Sequence, residues 1–182
     1  MVGARSTPTL GVLMARVRTA RPRPARALHP VGLRFAGTAP VRLTFTARLA
    51  AAPAEVYRAL VDEVEAWPRW FPAVTLARQV EHDRRRGREI RVLGVLHFVE
   101  TVLVTEPDRR YAYRVDLTNA PGVRALLEDW CLRRAGGGTV LQWCVAADGP
   151  PPVRLALRLA RPGLRHAFHD AVRALDRRLA AV

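Results

Sequence analysis

The stretch of sequence that decides the fold is PAEVYRALVDEVEAWPRWFP, residues 53–72, which begins as a helix and ends in a group of large aromatic residues. Pro53 suits a first helical turn, where its missing N–H is not needed, and Glu55 lies where the helix dipole favours an acid. Apolar residues recur at helical spacing, at Val56, Ala59, Leu60 and Val64. The pattern predicts an amphipathic helix with one buried face.

Three large aromatic side chains follow this helix within the segment WPRWFP, residues 67–72. Trp67, Trp70 and Phe71 are costly to leave in water, so the rest of the chain must cover them. Proline disfavours the helical conformation in the residue before it, which predicts that Trp67 and Phe71 both leave the helical region. We therefore expect a buried, non-helical corner after the first helix.

Alternation of apolar and polar residues predicts β-strands on both sides of this corner. The predicted strands cover residues 41–49, 74–80, 89–93, 96–105, 111–117, 126–134 and 139–147, with a charged turn at 83–87. The glycine-rich segment 135–138 predicts a hairpin. If Arg134 pairs with Thr139 in that hairpin, Trp130 lies opposite Trp143 on an apolar face.

The C-terminal residues, 153–182, have a helical pattern with an expected kink at Pro162 and Gly163. An apolar stripe follows the kink, at Leu164, Phe168, Val172, Leu175 and Leu179. An antiparallel sheet must have one face covered, and only this helix is long enough to cover it. We predict an α+β fold in which a curved sheet wraps the C-terminal helix, with a gap between bulky aromatic residues that forms an apolar cavity.

The N-terminal residues, 1–40, hold seven arginines and no acidic residue. Their Arg- and Pro-rich composition lacks periodicity, which predicts a disordered leader ahead of a folded domain at 41–182. Three interpretations of this leader stay open: an extension from an early start codon, a basic tail that touches acidic surfaces or membranes, and a targeting segment.

The overall composition excludes several classes of protein. The formal charge is +14 and all 30 basic residues are arginine, which is typical of a GC-rich genome and weakens an argument for nucleic-acid binding. The arginines are scattered, and no stacking platform for bases is evident. No apolar run is long enough to span a membrane. Two cysteines, Cys131 and Cys144, make neither a disulfide framework nor a zinc site, which favours a reducing, cytoplasmic location.

Several short motifs in order resemble the SRPBCC superfamily, which groups START-like, polyketide cyclase/dehydrase and lipid-transport proteins. The matching residues are Ala52, Pro53, Glu55, Val56 and Tyr57; Leu60, Val61 and Asp62; Trp67 and Trp70 before Pro72; Glu100 before Glu106 and Pro107; Arg110, Tyr111, Ala112 and Tyr113; and Gly137, Gly138 and Thr139 before Trp143. The resemblance covers residues 41–182. It implies a helix-grip fold with a hydrophobic cavity between the sheet and the C-terminal helix, and it does not imply one activity.

A set of aromatic residues is consistent with a core and, with this resemblance, with the lining of a ligand pocket. The candidate ligand-binding residues are Trp67, Trp70, Phe71, Phe98, Tyr113, Trp130, Trp143 and Phe168. Tyr113 is the best polar group, because a buried phenol needs a partner. The expected ligand is a small hydrophobic molecule, lipid-like or polyketide-like, with no cofactor.

The evidence for catalysis in the sequence is slight. No nucleophile, phosphate-loop or metal-binding motif occurs, and His166 and His169 lack a third metal ligand. His97 and Glu100 lie on opposite faces of one predicted strand, and the pattern leaves open which face is inward. An inward Glu100 must stay neutral or find an arginine, and it is the one candidate acid/base group. Binding is therefore favoured over an aromatase/cyclase activity, and a third alternative is a protein-interaction role with a vestigial pocket.

Overall fold

The computed structural model describes residues 24–82 and 84–181. Its strands form one antiparallel sheet of eight strands. They are β1 (Arg26–Ala27), β2 (Val41–Leu49), β3 (Val74–His82), β4 (Arg85–Val92), β5 (Leu96–Glu106), β6 (Arg110–Thr118), β7 (Ala125–Ala135) and β8 (Gly138–Asp148). Their order is β2-β8-β7-β6-β5-β4-β3, and β1 pairs with β6 beside this path. The predicted succession of antiparallel strands, and with it the α+β helix-grip fold, is confirmed.

The helices carry the chain across the sheet and then cover one of its faces. They are α1 (Phe35–Thr38), α2 (Pro53–Val61), α3 (Trp67–Trp70), α4 (Pro151–Leu159) and α5 (Arg161–Ala180), with a 3₁₀ turn at Val64–Ala66. Strands β2 and β3 are at opposite edges of the sheet, so the segment between them must cross roughly 29 Å at the usual strand spacing. This crossing places α2 and α3, with their aromatic residues, beneath the sheet.

The aromatic corner differs from the prediction at one residue. Phe71 has the expected extended backbone, with φ −109° and ψ 91°. Trp67, however, has φ −53° and ψ −42° and begins the short helix α3. The expectation that Pro68 removes Trp67 from the helical region is wrong, because Pro68 occupies the first helical turn, where its missing N–H is tolerated.

The N-terminal segment is folded further back than predicted. Strand β1 pairs with β6, and the Arg26 guanidinium donates hydrogen bonds to the carbonyl oxygens of Ala120 (2.8 Å) and Val123 (2.7 Å). Phe35 packs against Leu127 and other apolar residues on the outer face of the sheet. The prediction that the chain is disordered up to residue 40 is therefore wrong for residues 24–40. This segment is ordered because it covers apolar residues on the outer face of β7 and β8. The rest of the predicted leader, residues 1–23, lies outside the described residues.

The charged turn between β3 and β4 is shorter than the predicted 83–87, because Arg85, Arg86 and Gly87 belong to β4. Gly87 pairs with Thr101 of β5, and the two strands approach closely there. A Cβ atom at position 87 would lie 2.2 Å from the carbonyl oxygen of Glu100. Glycine is thus the residue that permits this pairing, and the turn-like composition of DRRRG concealed the start of the strand.

The register of the β7–β8 hairpin is the predicted one, with Arg134 opposite Thr139 and Trp130 opposite Trp143. The predicted stripe on the C-terminal helix is also confirmed, since Phe168, Val172 and Leu175 of α5 are buried. The break in the helix lies at Ala160 rather than at the predicted kink. Pro162 instead falls in the first turn of α5, where it begins a helix rather than interrupting one.

Candidate functional site

The aromatic residues of the corner, the sheet and the C-terminal helix meet in one cluster beneath the sheet. The corner contacts the sheet in two places, because Trp67 lies edge-on to Trp130 at 5.9 Å between ring centroids and Phe71 lies edge-on to Trp143 at 6.1 Å. Phe168 of α5 stacks on Trp143 at 5.8 Å. The structure therefore brings together six predicted ligand-binding residues through ring contacts: Trp67, Trp70, Phe71, Trp130, Trp143 and Phe168.

These rings fill the space in which a gap was predicted. Trp130 and Trp143 stack at 5.1 Å, and Phe168 lies 6.2 Å from Trp130. Phe98 is the outermost of the eight predicted residues, because it is half-buried and packs between the main core and a smaller one around Val115. A cleft of about 860 Å³ lies outside the cluster, between β2 and the start of α5, and is open to solvent.

The guanidinium of Arg88 lies inside this aromatic cluster. Arg88 is on β4, only 2% exposed, and its side chain points to the same face as the buried Ile90. Its guanidinium carbon lies 3.7 Å from the ring centroid of Tyr113 and 4.2 Å from that of Trp67. Desolvated contacts of this kind stabilise a cation by about 2 kcal/mol. The burial is thus partly offset by the faces of the surrounding rings.

Glu100 is the ion-pair partner of this arginine. It is 3% exposed, and its Oε2 accepts a hydrogen bond of 2.5 Å from Nε of Arg88. Glu100 is therefore inward, and it has found the arginine that a buried carboxyl requires. His97 lies elsewhere, with its Nε2 3.0 Å from Oε1 of Glu89, so the two residues do not share one site, as predicted.

A second carboxyl group, that of Glu128 on β7, joins the site through Tyr113. The Tyr113 hydroxyl donates to Oε2 of Glu128 at 2.6 Å and accepts a hydrogen bond from Nε1 of Trp130 at 2.9 Å. Nε1 of Trp143 donates to the same Glu128 oxygen at 2.8 Å. The predicted need of Tyr113 for a polar partner is met by a network that links both indoles of the hairpin to one carboxyl group.

Burial of two carboxyl groups beside one guanidinium makes it unfavourable for both carboxyls to be ionised. Burial raises the pKa of Glu100 to about 7, because the Arg88 cation offsets desolvation only in part and the charge of Glu128 opposes ionisation as well. Burial also raises the pKa of Glu128, although the hydrogen bond from Tyr113 acts in the opposite direction. Each of the two carboxyls is therefore harder to ionise than an exposed glutamate.

Two buried N–H donors of the site have no hydrogen-bond partner among the described residues. They are Nη1 of Arg88 and Nε1 of Trp70. A buried donor without an acceptor costs about 1–3 kcal/mol, and more when it is charged. Both belong to residues of the aromatic cluster, since Trp70 contacts Trp67 and Arg88 lies over the Trp67 ring. The interior thus has capacity to bind acceptor oxygens.

Arg88 and Glu128 are inward polar residues that were not predicted from the sequence. Arg88 was obscured by the charged segment before it, and only its spacing of two from Ile90 indicates its direction. Glu128 lies two residues before Trp130, so the two side chains share one face of β7. The hairpin register that places Trp130 inward therefore also places Glu128 inward. The inward polar content is therefore higher than predicted.

The other candidate residues lie away from this site. His166 is exposed and pairs with Asp170 at 2.9 Å, and His169 packs edge-on to Phe168. Within residues 24–82 and 84–181, no group of three or more His, Cys, Asp and Glu side chains is arranged to hold a metal ion. Cys131 and Cys144 are free and half-buried on the other face of the β7–β8 hairpin, and burial raises the pKa of both thiols.

The fold and the site define a class of protein. It is the class of helix-grip α+β proteins, here with a buried ion pair inside an aromatic interior. The family model described as polyketide cyclase/dehydrase and lipid transport matches residues 40–180. The chain belongs to this family, which confirms the resemblance found in its motifs. Membership indicates a hydrophobic-ligand-binding or polyketide cyclase-like role.

Individual relatives agree with this assignment. An uncharacterized protein of Mycobacterium tuberculosis, Rv2574, is 31% identical over 150 residues, which are 81% of this chain and 89% of the relative. A START superfamily protein from Mycobacterium smegmatis has a TM-score of 0.59 at 16% identity, over 77% of this chain and 97% of the other. The protein TTHA0849 from Thermus thermophilus has a TM-score of 0.62 at 15% identity, over 78% of this chain and 98% of the other. The two solved structures support the fold alone.

Among the described residues, no helix combines the length and the apolar character that a membrane crossing requires.

Proposed function

We propose that this protein binds a small hydrophobic molecule, lipid-like or polyketide-like, between the sheet and α5, with an acceptor oxygen of the ligand at Nη1 of Arg88. The observation that carries the proposal is the pair of buried donors on Arg88 and Trp70 that have no partner among the described residues and lie within the aromatic cluster. A core selected only for packing gains nothing from a buried guanidinium, since apolar residues of similar volume are as stable or more stable.

Entry of a ligand requires the rings to separate, and the C-terminal helices are the weakest part of their enclosure. Helix α4 has no buried residue, and the first buried residue of α5 is Phe168. Segments with little buried surface open at low free-energy cost. Outward movement of α4 and the first turns of α5 takes Phe168 away from Trp130 and Trp143 and leaves space beside these two rings.

The proposal is tested with matched pairs of ligands that differ only in an oxygen, such as 1-tetralone against tetralin and decanoic acid against decane. Binding is measured by native mass spectrometry and by the fluorescence of the four tryptophans, all of which lie in the cluster. A hydrogen bond to a charged donor contributes about 1.5–3 kcal/mol, so the oxygenated member should bind at least about tenfold more tightly. Binding of neither member of any pair would favour the protein-interaction role instead.

A matched pair of variants locates the ligand. Phe168→Leu removes ring volume beside Trp130 and Trp143, and we expect faster and tighter binding. Phe35→Leu makes the same change on the outer face of the sheet, where Phe35 packs against Leu127 and Ala146. Equal effects of the two variants on binding would place the ligand elsewhere.

A second candidate function is cyclisation of a poly-β-ketone in the same interior. It is favoured by the two inward carboxyls, because burial raises the pKa of Glu100 to about 7, which suits proton transfer near neutral pH, and raises the pKa of Glu128 as well. Arg88 would stabilise the enolate oxygen formed when such a carboxyl removes a proton between two carbonyl groups. Deuterium exchange at that carbon of a bound β-diketone, measured by NMR, should be fast in the native protein and slow in both Glu100→Gln and Glu128→Gln. Exchange at the rate seen without protein would leave binding as the function.

A further inference from the structure

Four large hydrophobic side chains are exposed in the described part of the chain, and they occur as two pairs. Leu93 (68% exposed) and Val95 (66%) flank Gly94 in the turn between β4 and β5. Leu155 (56%) and Leu159 (71%) are four residues apart on α4, which places them on one helix face. Single exposed aliphatic residues are common, so the position of the two pairs relative to each other decides whether they form a surface.

Both pairs lie at the same end of the sheet. Val92 is opposite Leu96, Thr118 is opposite Phe98 and Asp148 is opposite Ala125, so the turns β4–β5 and β6–β7 and the chain that enters α4 share this end.

The loop between β6 and β7 connects the two pairs. Asn119 in this loop donates from Nδ2 to the carbonyl oxygen of Val95 at 2.8 Å. Three residues further on, Gly122 packs so closely on Val153 of α4 that a Cβ atom there would lie 2.4 Å from Cγ2 of Val153. We call this region, with Leu93, Val95, Leu155 and Leu159, the aliphatic end.

Positive charge surrounds the aliphatic end. Segments 91–97, 117–126 and 148–165 contain the single acidic residue Asp148, which pairs with Arg154 at 2.9 Å. The same segments contain six arginines: Arg91, Arg124, Arg154, Arg158, Arg161 and Arg165. All of these except Arg154 are exposed. The surface therefore combines projecting aliphatic side chains with a strong excess of positive charge.

We propose that the aliphatic end docks on a bilayer surface that contains anionic phospholipid. A bilayer accepts aliphatic side chains into its interfacial region without a complementary groove, and its anionic headgroups attract surrounding arginines. A second copy of this chain would bring like charges together. Residues 1–23 carry five arginines and no acid, so the same repulsion opposes their docking here. A nucleic acid would use the arginines but would leave the four aliphatic side chains in water.

The test is co-sedimentation of the full chain with phosphatidylcholine vesicles, either alone or with roughly one-third phosphatidylglycerol to supply the negative surface charge. We expect binding to the anionic vesicles and at least tenfold weaker binding to the neutral ones. Leu155→Ser/Leu159→Ser and Leu93→Ser/Val95→Ser should each lower the partition coefficient about tenfold or more, because partial burial of two aliphatic side chains is lost. All four positions are exposed, so circular dichroism should show an unchanged fold.

Matched charge variants separate docking from general attraction. Arg158→Gln/Arg161→Gln removes two charges at the aliphatic end, and each arginine near a membrane contributes roughly fivefold to binding. Arg133→Gln/Arg134→Gln removes two exposed charges beside the β7–β8 turn, at the opposite end of the sheet. We expect about a 25-fold loss for the first pair and little loss for the second. The proposal would be overturned if the two arginine variants lost binding equally or if the serine variants bound as tightly as the native protein. Equal binding of the native protein to neutral and anionic vesicles would also overturn it.

Discussion

The buried ion pair of Arg88 and Glu100 makes a prediction about stability whose size depends on pH. Arg88→Met keeps most of the side-chain volume but removes the cation that faces Glu100 at 2.5 Å. Breaking a buried pair by removing one partner costs about 3–5 kcal/mol, because the remaining charge is uncompensated. This full cost applies where Glu100 is ionised in the native protein, which is above its pKa of about 7.

At a pH below the pKa of Glu100, Arg88→Met should lower the free energy of unfolding by a smaller amount. Glu100 is then protonated in the wild-type protein too, so the variant no longer has to neutralise a buried charge. The loss is then limited to the contacts of the guanidinium with Trp67 and Tyr113, worth about 2 kcal/mol. Above pH 7, each further pH unit should add up to about 1.4 kcal/mol to the difference between the wild type and the variant.

The assay is equilibrium urea unfolding followed by tryptophan fluorescence at pH 5.5, 7 and 8.5. Trp67, Trp70, Trp130 and Trp143 all lie in the cluster, so their emission reports its disruption. Arg58→Met is the matched control, because Arg58 is largely exposed and its 3.3 Å pair with Glu63 should contribute less than about 1 kcal/mol. Arg88→Met/Glu100→Leu should recover much of the loss, since apolar replacement of a whole buried pair is often neutral. A cost for Arg88→Met that equals that of the control, or does not vary with pH, would refute the reasoning.

Other predictions concern the same strands. Because burial raises the pKa of Glu100 from 4.5 to about 7, its contribution to stability is full below pH 4.5 and is lost as pH rises to 7. The wild type should therefore lose roughly 3 kcal/mol relative to Glu100→Gln across that window in urea titrations, and a constant difference would contradict the shifted pKa. Gly87→Ala should lower the free energy of unfolding by about 1–3 kcal/mol, because its Cβ would overlap the Glu100 carbonyl, and an unchanged midpoint would mean that β4 and β5 are further apart. Cys131 and Cys144 should react with iodoacetamide more slowly than free cysteine at pH 7.5, since burial raises both pKa values, and equal rates would show that both thiols are open to water.

Elements with a strong local pattern were predicted correctly from the sequence. Val41–Leu49 alternates throughout, and its observed burial follows the same alternation at all but one position. The Gly-rich turn predicted the β7–β8 hairpin, and the register considered for it, which puts both tryptophans on one apolar face, is the observed one. The failures occur where local pattern and tertiary contact disagree. Residues 24–40 looked structureless, yet they cover an apolar face of the sheet.

In the candidate site, the aromatic residues were predicted from the sequence and the central charged residues were not. The aromatic residues were identified because large apolar side chains are costly to expose wherever the chain places them. The charged residues at the centre, Arg88 and Glu128, could not be ranked, because an arginine or glutamate on an alternating strand is most often solvated. Their burial depends on partners from β5 and β6, which are distant in sequence.

By itself, the sequence determined the order of the strands and helices, the apolar stripe of α5 and the set of aromatic residues that had to be buried. These follow from hydrophobic periodicity and turn chemistry, which act over a few neighbouring residues. Only the tertiary structure decided that the aromatic rings fill the interior, that Arg88 lies among them and that its charge is matched by Glu100. A buried charge is tolerated only where rings, carboxyls and hydrogen-bond donors from several strands converge, and that convergence exists only after the sheet has formed.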